Sequence, residues 1–434
     1  MAGTNNTRIT FEQLYKLVYP NGVENALPDQ TWWLANTPFK QIGESFKQPV
    51  KLTLPGGITF GGINDSTTAG SGDAYDLGEA LASEGKKLTA QGYSITMRDV
   101  AGLGALKAAR GGPESFKEAL GDMFSGLQLA MSREVERSIW DGQSTSGMGV
   151  VSAVGTSGSN YTATITAATW NPSRWIGRKG HRIVFGTTGP STWRAGLGTV
   201  VSVNYATRVI TYSGDITGDA ATDIIWLANY KASDGTTRIA QHTGTAWNEC
   251  LGVCAAAQAT GTTVWGVDNT SYDLINPQTV SAGSTDLSFD TCGTAMGSLW
   301  DKGATGTFTN FISSETFNNL ISPEVALRRH DASYKPEKVK VGNGEIEFTH
   351  LTGVLKIKPY AFCKQGEAVI TDPSLWTRVG ASEITFEQET GDGKKKIFLT
   401  LADKNGCEIR CFSDQAPFTK RLGYTVYISN ITNS

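Results

Sequence analysis

Charge is scarce in this chain. Asp, Glu, Lys and Arg make up only 18% of its 434 residues, and 38 basic against 41 acidic side chains leave a formal net charge of −3. A free-standing nucleic-acid binder announces itself by a basic patch or a high isoelectric point, and neither is evident. Histidine is scarcer still. His181, His242, His330 and His350 are the only four, none sits in an H-E-x-x-H pair, and no two have helical ligand spacing. No stretch approaches the ~18 apolar residues that a membrane-spanning helix needs. The opening Met1-Ala-Gly-Thr-Asn-Asn-Thr-Arg8 lacks the basic-then-apolar layout of a secretion signal. No repeat of fixed period points to a solenoid or a propeller.

Catalytic signatures are missing too. Ser144-Thr-Ser146-Gly147 comes nearest to a G-x-S-x-G nucleophile elbow and fails it. There is no G-x-x-x-x-G-K-[ST] phosphate loop. Gly102-Leu-Gly104 lacks a third glycine and a preceding hydrophobic strand, which speaks against a dinucleotide site. Glu345/Glu347 and Glu387/Glu389 have strand spacing, and two carboxylates on one face have the chemistry of glycoside hydrolysis. Solvated strand faces carry such pairs far more often. Trp32-Trp33 could serve a sugar platform, but a docking anchor or core position is the more ordinary reading. The six cysteines are Cys250, Cys254, Cys292, Cys363, Cys407 and Cys411. A secreted disulfide scaffold would be shorter and denser in Cys, so free thiols made in a reducing cytoplasm are expected. Both Cys250/Cys254 and Cys407/Cys411 have C-x₃-C spacing, which just fits half a zinc site. The second pair, however, lies on alternating strand with both thiols on one face. Buried or idle cysteines are expected, and no catalytic, cofactor-binding or metal-ligating residue is assigned.

What the chain has in plenty is glycine, 50 residues against a usual ~7%, together with many Thr, Ser and Asn. That composition predicts turns and short strands. Thr10-Phe-Glu-Gln13 has capping-box spacing before Phe11, Leu14, Leu17 and Val18, predicting a short helix that Pro20-Asn21-Gly22 ends. Residues 42–97 read as a long excursion between strands at 45–54 and 92–97, with glycine-rich chain between them. A connection so long is functional or mobile, and with little apolar content it gains order by lying on a neighbour. Residues 113–140 form the strongest local signal. Phe116, Leu120, Met123, Leu127, Met131, Val135 and Ile139 make one helical stripe, roughly 40 Å long. Arg133, Glu134, Glu136 and Arg137 fall off it, on a solvated face or in ion pairs with an adjacent subunit.

Between 150 and 255 the pattern changes to short β-like runs at 161–166, 182–185, 198–203, 208–212 and 223–227. They predict an inserted barrel or sandwich of about five strands. Beyond it, Ser288 caps a helix that Gly303 stops, a strand at 308–312 follows, and a helix from Ser314 ends before Pro323. Strands at 345–349, 354–358, 383–386, 396–400 and 424–428 complete an α+β chain.

This order of parts resembles the capsid fold of tailed-bacteriophage major capsid proteins, shared with encapsulins and the herpesvirus capsid floor. More local likenesses lie in Val264-Trp-Gly-Val-Asp-Asn-Thr-Ser-Tyr272, in residues 345–357, and in Gly366-Glu-Ala-Val-Ile-Thr-Asp-Pro-Ser-Leu-Trp-Thr-Arg-Val-Gly380. The resemblance implies an N-terminal arm at 1–41, an extended loop at 42–97, and a peripheral domain with a spine helix at 98–149. It implies the inserted β domain at 150–255, an axial domain at 256–381, a peripheral return at 382–411 and an axial C-terminal strand at 412–434. It further implies a non-enzymatic subunit, without cofactor, that assembles with itself as hexamers and pentamers. The resulting icosahedral shell would form in the host cytoplasm, enclose double-stranded DNA through weak non-specific contact, and engage no membrane. Portal and scaffolding proteins would be partners, the latter separate because no charged helical leader is seen, with room for a decoration protein. Thr390–Lys395 would be a turn near three-fold contacts. The candidate assembly contacts are Lys51, Asp73, Asp76, Arg133, Glu134, Arg137 and Lys394. Competing readings are an encapsulin-like compartment, a β-rich tail or adhesin protein, and a carbohydrate-active β enzyme.

Overall fold

The computed structural model describes residues 31–43, 45–60, 78–102, 113–187, 194–214, 216–228, 242–243, 246–329, 346–386, 388–389, 395–400 and 406–433. The expected helix after Thr10 and the sequence positions Asp73, Asp76, His330, Glu345, Glu387 and Lys394 lie outside them.

A long helix spans Pro113–Asp141, and its stripe does what the spacing requires: Met123, Met131, Val135 and Ile139 are buried. It packs against a five-stranded sheet. In that sheet Phe39–Gln41, Trp376–Thr385, Gly406–Thr419 and Phe398–Thr400 lie side by side, and Tyr93–Gly102 also pairs antiparallel with Gly406–Thr419. Gly380 has no room for a side chain there, since a Cβ would stand 1.9 Å from the Asp414 carbonyl oxygen.

A second sheet has six strands in the order Gln278–Thr285, Val426–Ile431, Ala368–Thr371, Gly306–Ile312, Gly353–Pro359, Ile346–His350. One face is covered by the helix Phe289–Asp301 through Cys292, Ala295, Met296 and Leu299. Ser288 Oγ caps that helix by accepting the Thr291 N–H at 3.1 Å. Phe311 and Val369 point the other way, into the core shared with the long helix.

The third unit is the insertion. Ile224–Leu227, Arg182–Gly186, Gly198–Asn204, Val209–Ser213, Asn160–Ile165 and Val151–Ser157 pair in that order, each antiparallel to the next. The ends approach: Val151 N donates to Asp223 O and Thr222 N to Val151 O, both at 2.7 Å, beside a Val150–Ile224 bridge. The sheet therefore curls into a small barrel closed at one end. Its core is Trp170, Trp175, Phe185, Ile210, Tyr212 and their neighbours.

Three expectations need correction. Within the 42–97 excursion the structure adds a strand that was not expected, Gly85–Ala90, which pairs antiparallel with Phe46–Lys51. That strand carries two lysines and only Leu88 as a large apolar residue, too little alternation to register. Residues 93–97 begin the strand Tyr93–Gly102 of the five-stranded sheet. The insertion has a sixth strand, Val151–Ser157, exposed beyond Val151. The last helix runs Ser314–Arg329 straight through Pro323, because proline removes one donor and crowds one carbonyl without forbidding continuation. Gly406–Thr419 runs as one strand of the five-stranded sheet, and Val426–Ile431 is a separate strand of the six-stranded sheet that holds Gln278–Thr285.

Candidate functional site

Of the charged residues beside the helical stripe, Glu134, Glu136 and Arg137 are buried and Arg133 is half-buried. Glu134 accepts from Arg137 Nε at 3.0 Å and also meets Arg178, while Arg137 reaches Glu249. Arg133 Nη2 donates to the Ser173 carbonyl at 2.8 Å. Glu134 and Arg137 are buried. Ser173 and Arg178 lie inside the insertion, between the strands Asn160–Ile165 and Arg182–Gly186, and Glu249 lies where the chain returns from it, so this network fastens the insertion to the helix. It replaces the solvated-face reading of Glu134 and Arg137. Arg178 is lowered to about 10 by burial and by the neighbouring Arg133.

At the C-terminal end of the helix a second cluster forms. Lys364 Nζ donates to Asp141 Oδ1 at 2.8 Å and to Ser144 Oγ at 2.9 Å, and lies 3.7 Å from Glu367. The Arg174 guanidinium takes the other Asp141 oxygen, and its Nη1 donates to Gly147 O at 2.6 Å. Burial works against both charges, yet Arg174 and Lys364 hold the Asp141 carboxyl below its usual range, and Asp141 and Glu367 hold the Lys364 ammonium above its own. Asp141, Cys254 and Glu367 present ligand atoms within 4.8 Å of one another. Lys364 already supplies positive charge there, and burial first, then Glu367, keeps the Cys254 thiol well above its usual pKa. The donor set suits an ion-pair knot better than a metal. Cys250 does not join it; its thiol meets Ser138 and is pushed up to about 12 by burial.

A third cluster explains Trp32-Trp33. The short helix Trp32–Asn36 has no local side-chain cap. Glu136, reaching from the long helix, accepts Trp33 N at 2.7 Å, Leu34 N at 2.9 Å and the Tyr360 hydroxyl at 2.7 Å. Arg378 closes the other end by donating to Thr37 O and Leu34 O. Trp33 is fully buried with Trp140, Phe311 and Trp376 around it at 5.4–6.0 Å between ring centroids. It is a docking anchor, not a sugar platform. Burial raises the Glu136 pKa against these three hydrogen bonds.

The hairpin that leaves this body has the opposite character. Its arms stay paired outward from Phe46/Ala90 through Leu52 N to Glu84 O, Gly56 N to Leu81 O and Gly78 N to Thr59 Oγ1. Yet Leu54, Ile58, Phe60 and Leu81 are 87, 77, 93 and 66% exposed. Such a cluster of large apolar side chains marks an interaction site. Lys51 is exposed at the end of its first strand.

The remaining candidates carry no site. Glu347 is exposed and paired with Lys356 at 3.2 Å. His181 is lowered to about 4, chiefly by burial, and His350 Nδ1 bonds Thr352 Oγ1 at 3.0 Å. Sequence reasoning missed Arg174, Glu249, Lys364, Glu367 and Arg378. The one available signal was Lys364 and Glu367 standing between the apolar runs Tyr360-Ala-Phe362 and Ala368-Val-Ile370.

No protein-family profile and no curated protein matches this sequence. Solved structures do. The capsid asymmetric unit of cyanophage A-1(L) superposes with a TM-score of 0.53 at 11% identity, covering 98% of this chain and 99% of that one. The capsid of a native GTA particle gives 0.47 at 8% identity, covering 99% and 100%. The holo-SrpI encapsulin complex of Synechococcus elongatus PCC 7942 gives 0.41 at 6%, covering 98% and 96%.

Proposed function

We propose that this chain, which has the phage capsid fold, is the repeating subunit of a viral shell: a major capsid protein that works by assembly and catalyses nothing. The carrying observation is the likeness in fold to the cyanophage capsid subunit over 98% of this chain and 99% of that one. The exposed apolar side chains of the hairpin support it, because they find no partner within the described body of their own subunit and a neighbouring copy is the nearest surface that would cover them.

In this reading hexamers and pentamers close into an icosahedral shell around double-stranded DNA, within the host cytoplasm. The five-stranded sheet and the six-stranded sheet that holds Gln278–Thr285 form its floor, and the barrel stands on it. Each subunit contact is weak, and closure multiplies them. A net charge of −3 fits a wall that must not hold DNA tightly while it is packed. A portal protein and a separate scaffolding protein are its partners in assembly, with room on the shell for a decoration protein. Lys51, Asp73, Asp76 and Lys394 remain the candidate contacts between subunits.

Replacing residues 58–79 by an Asn-Gly turn tests this. The full chain is expected to sediment as rings or shells, and the trimmed chain as a folded small species. Equal assembly by both would overturn the role given to the hairpin.

A further inference from the structure

The barrel keeps one open edge. Val151–Ser157 ends its sheet and pairs with Asn160–Ile165 alone. Bonds to Thr222 and Asp223 fix the strand at Val151, but Ser152 to Ser157 are all exposed. The direction of the free groups follows from the neighbouring strand. Ile165 N donates to Arg208 O, away from this edge. By alternation Thr164 and Thr162 face the edge strand and bond Ala153 and Gly155 opposite them. Val154 and Thr156 therefore turn their N–H and C=O groups outward, where no strand among the described residues meets them. A register shift between Val151 and Ala153 ends this free stretch on one side, and the turn after Ser157 ends it on the other. Edges are usually guarded by charge or proline. Here residues 142–173 hold no Asp, Glu, Lys or Arg, although those types make up 18% of the chain, and the strand has no proline.

We propose that Val151–Ser157 pairs antiparallel with the same strand of a second copy of the chain, about a two-fold axis at Gly155, joining two barrels into one continuous sheet. The step rests on the shell reading, which holds copies side by side. An edge this short would not keep two free chains together, and a shell multiplies it. One register uses every outward group: Val154 stands opposite the second copy's Thr156, and Thr156 opposite its Val154, each pair exchanging both bonds. Gly155 then meets its own copy at the axis, where backbones come closest and it has no side chain to clash. The pairing also covers Val154, which is 40% exposed, with a β-branched residue across from it. Identical strands make the contact isologous, self-complementary without any charge to set its direction. A foreign strand is the weaker occupant. Strand addition takes its selectivity from pockets for alternate side chains, and apart from Val154 this edge offers only Ser, Ala, Gly and Thr.

The test is cysteine cross-linking in particles of the full chain, mildly oxidised and run on a non-reducing gel. Gly155→Cys places two thiols at the axis on Cα atoms about 4.5 Å apart, within reach of a disulfide. The new Cβ meets only Thr162 Oγ1, at 3.1 Å, so reduced particles of this variant are expected to form normally. Oxidation is expected to convert the monomer band into a dimer band. Ser157→Cys and the wild type are expected to stay monomeric, since the two copies of residue 157 lie roughly 14 Å apart at ~3.4 Å per residue. Adding Thr156→Pro, which removes an outward N–H while leaving the pairing with Asn160–Ile165 bonded, is expected to abolish the Gly155→Cys dimer. Intact Gly155→Cys particles that show only monomer overturn the contact and leave the shell reading standing. Equal cross-linking from Ser157→Cys, or a Gly155→Cys dimer that survives Thr156→Pro, overturns the strand pairing. Protection of the amides of Val154 and Thr156 from exchange only when a second protein is bound overturns it in favour of a foreign strand. A wild-type chain that forms no ring or shell removes the shell reading and this contact together.

Discussion

Lys364 is the residue whose removal should cost most. It is buried, with Asp141 and Glu367 on either side, and taking one partner from a buried ion pair typically costs ~3–5 kcal/mol. Lys364→Met is therefore expected to lower unfolding free energy by about that amount in urea titration. Its effect on acid unfolding has a definite sign. Asp141 is held below its usual 3.8 in the folded chain, so its contribution is complete above 3.8 and lost as pH falls through the lower folded value. With one cation gone the depression shrinks, and acid unfolding moves to higher pH. An unchanged acid midpoint would show that Arg174 alone holds the carboxylate. None of this was legible from residue spacing. Helical period shows which side chains face the main core, but not that the barrel and its two links cover the other side, so Glu134 and Arg137 look solvated until Arg178 and Glu249 are placed beside them.

Among elements, legibility followed length and alternation. The long helix stands within one residue of its expected end, because its apolar positions repeat over many turns. The barrel strands at 160–165, 182–186, 198–204, 209–213 and 224–227 were readable from β-branched runs between turns. Val151–Ser157 was not, since an exposed edge strand of small residues carries no apolar face. The short helix Trp32–Asn36 was readable only as a pair of tryptophans, for its caps come from residues more than a hundred positions away. Trp33→Ala tests that anchoring. Emptying a fully buried site of this size costs ~3–5 kcal/mol, and fast amide exchange should appear at residues 31–43 while the barrel keeps its protection. Equal loss of protection in the barrel would mean that the anchor holds the whole fold rather than one segment.

For the molecule as a whole, the α+β class and the order of glycine-rich excursion, long helix, β insertion and mixed helices and strands were written in the sequence as a succession of patterns. Which strands share a sheet was not, because the pairs are distant in the chain: Phe39–Gln41 with Trp376–Thr385, and Gln278–Thr285 with Val426–Ile431. Such long-range pairing is fixed by packing, and local signals do not encode it. The central claim, that the chain builds a shell, is tested most directly by electron microscopy of the protein expressed alone and with a candidate scaffolding protein. The account predicts closed shells, or isolated five- and six-membered rings, in at least one of the two. Only monodisperse monomers in both, from protein with a cooperative unfolding transition, would contradict it.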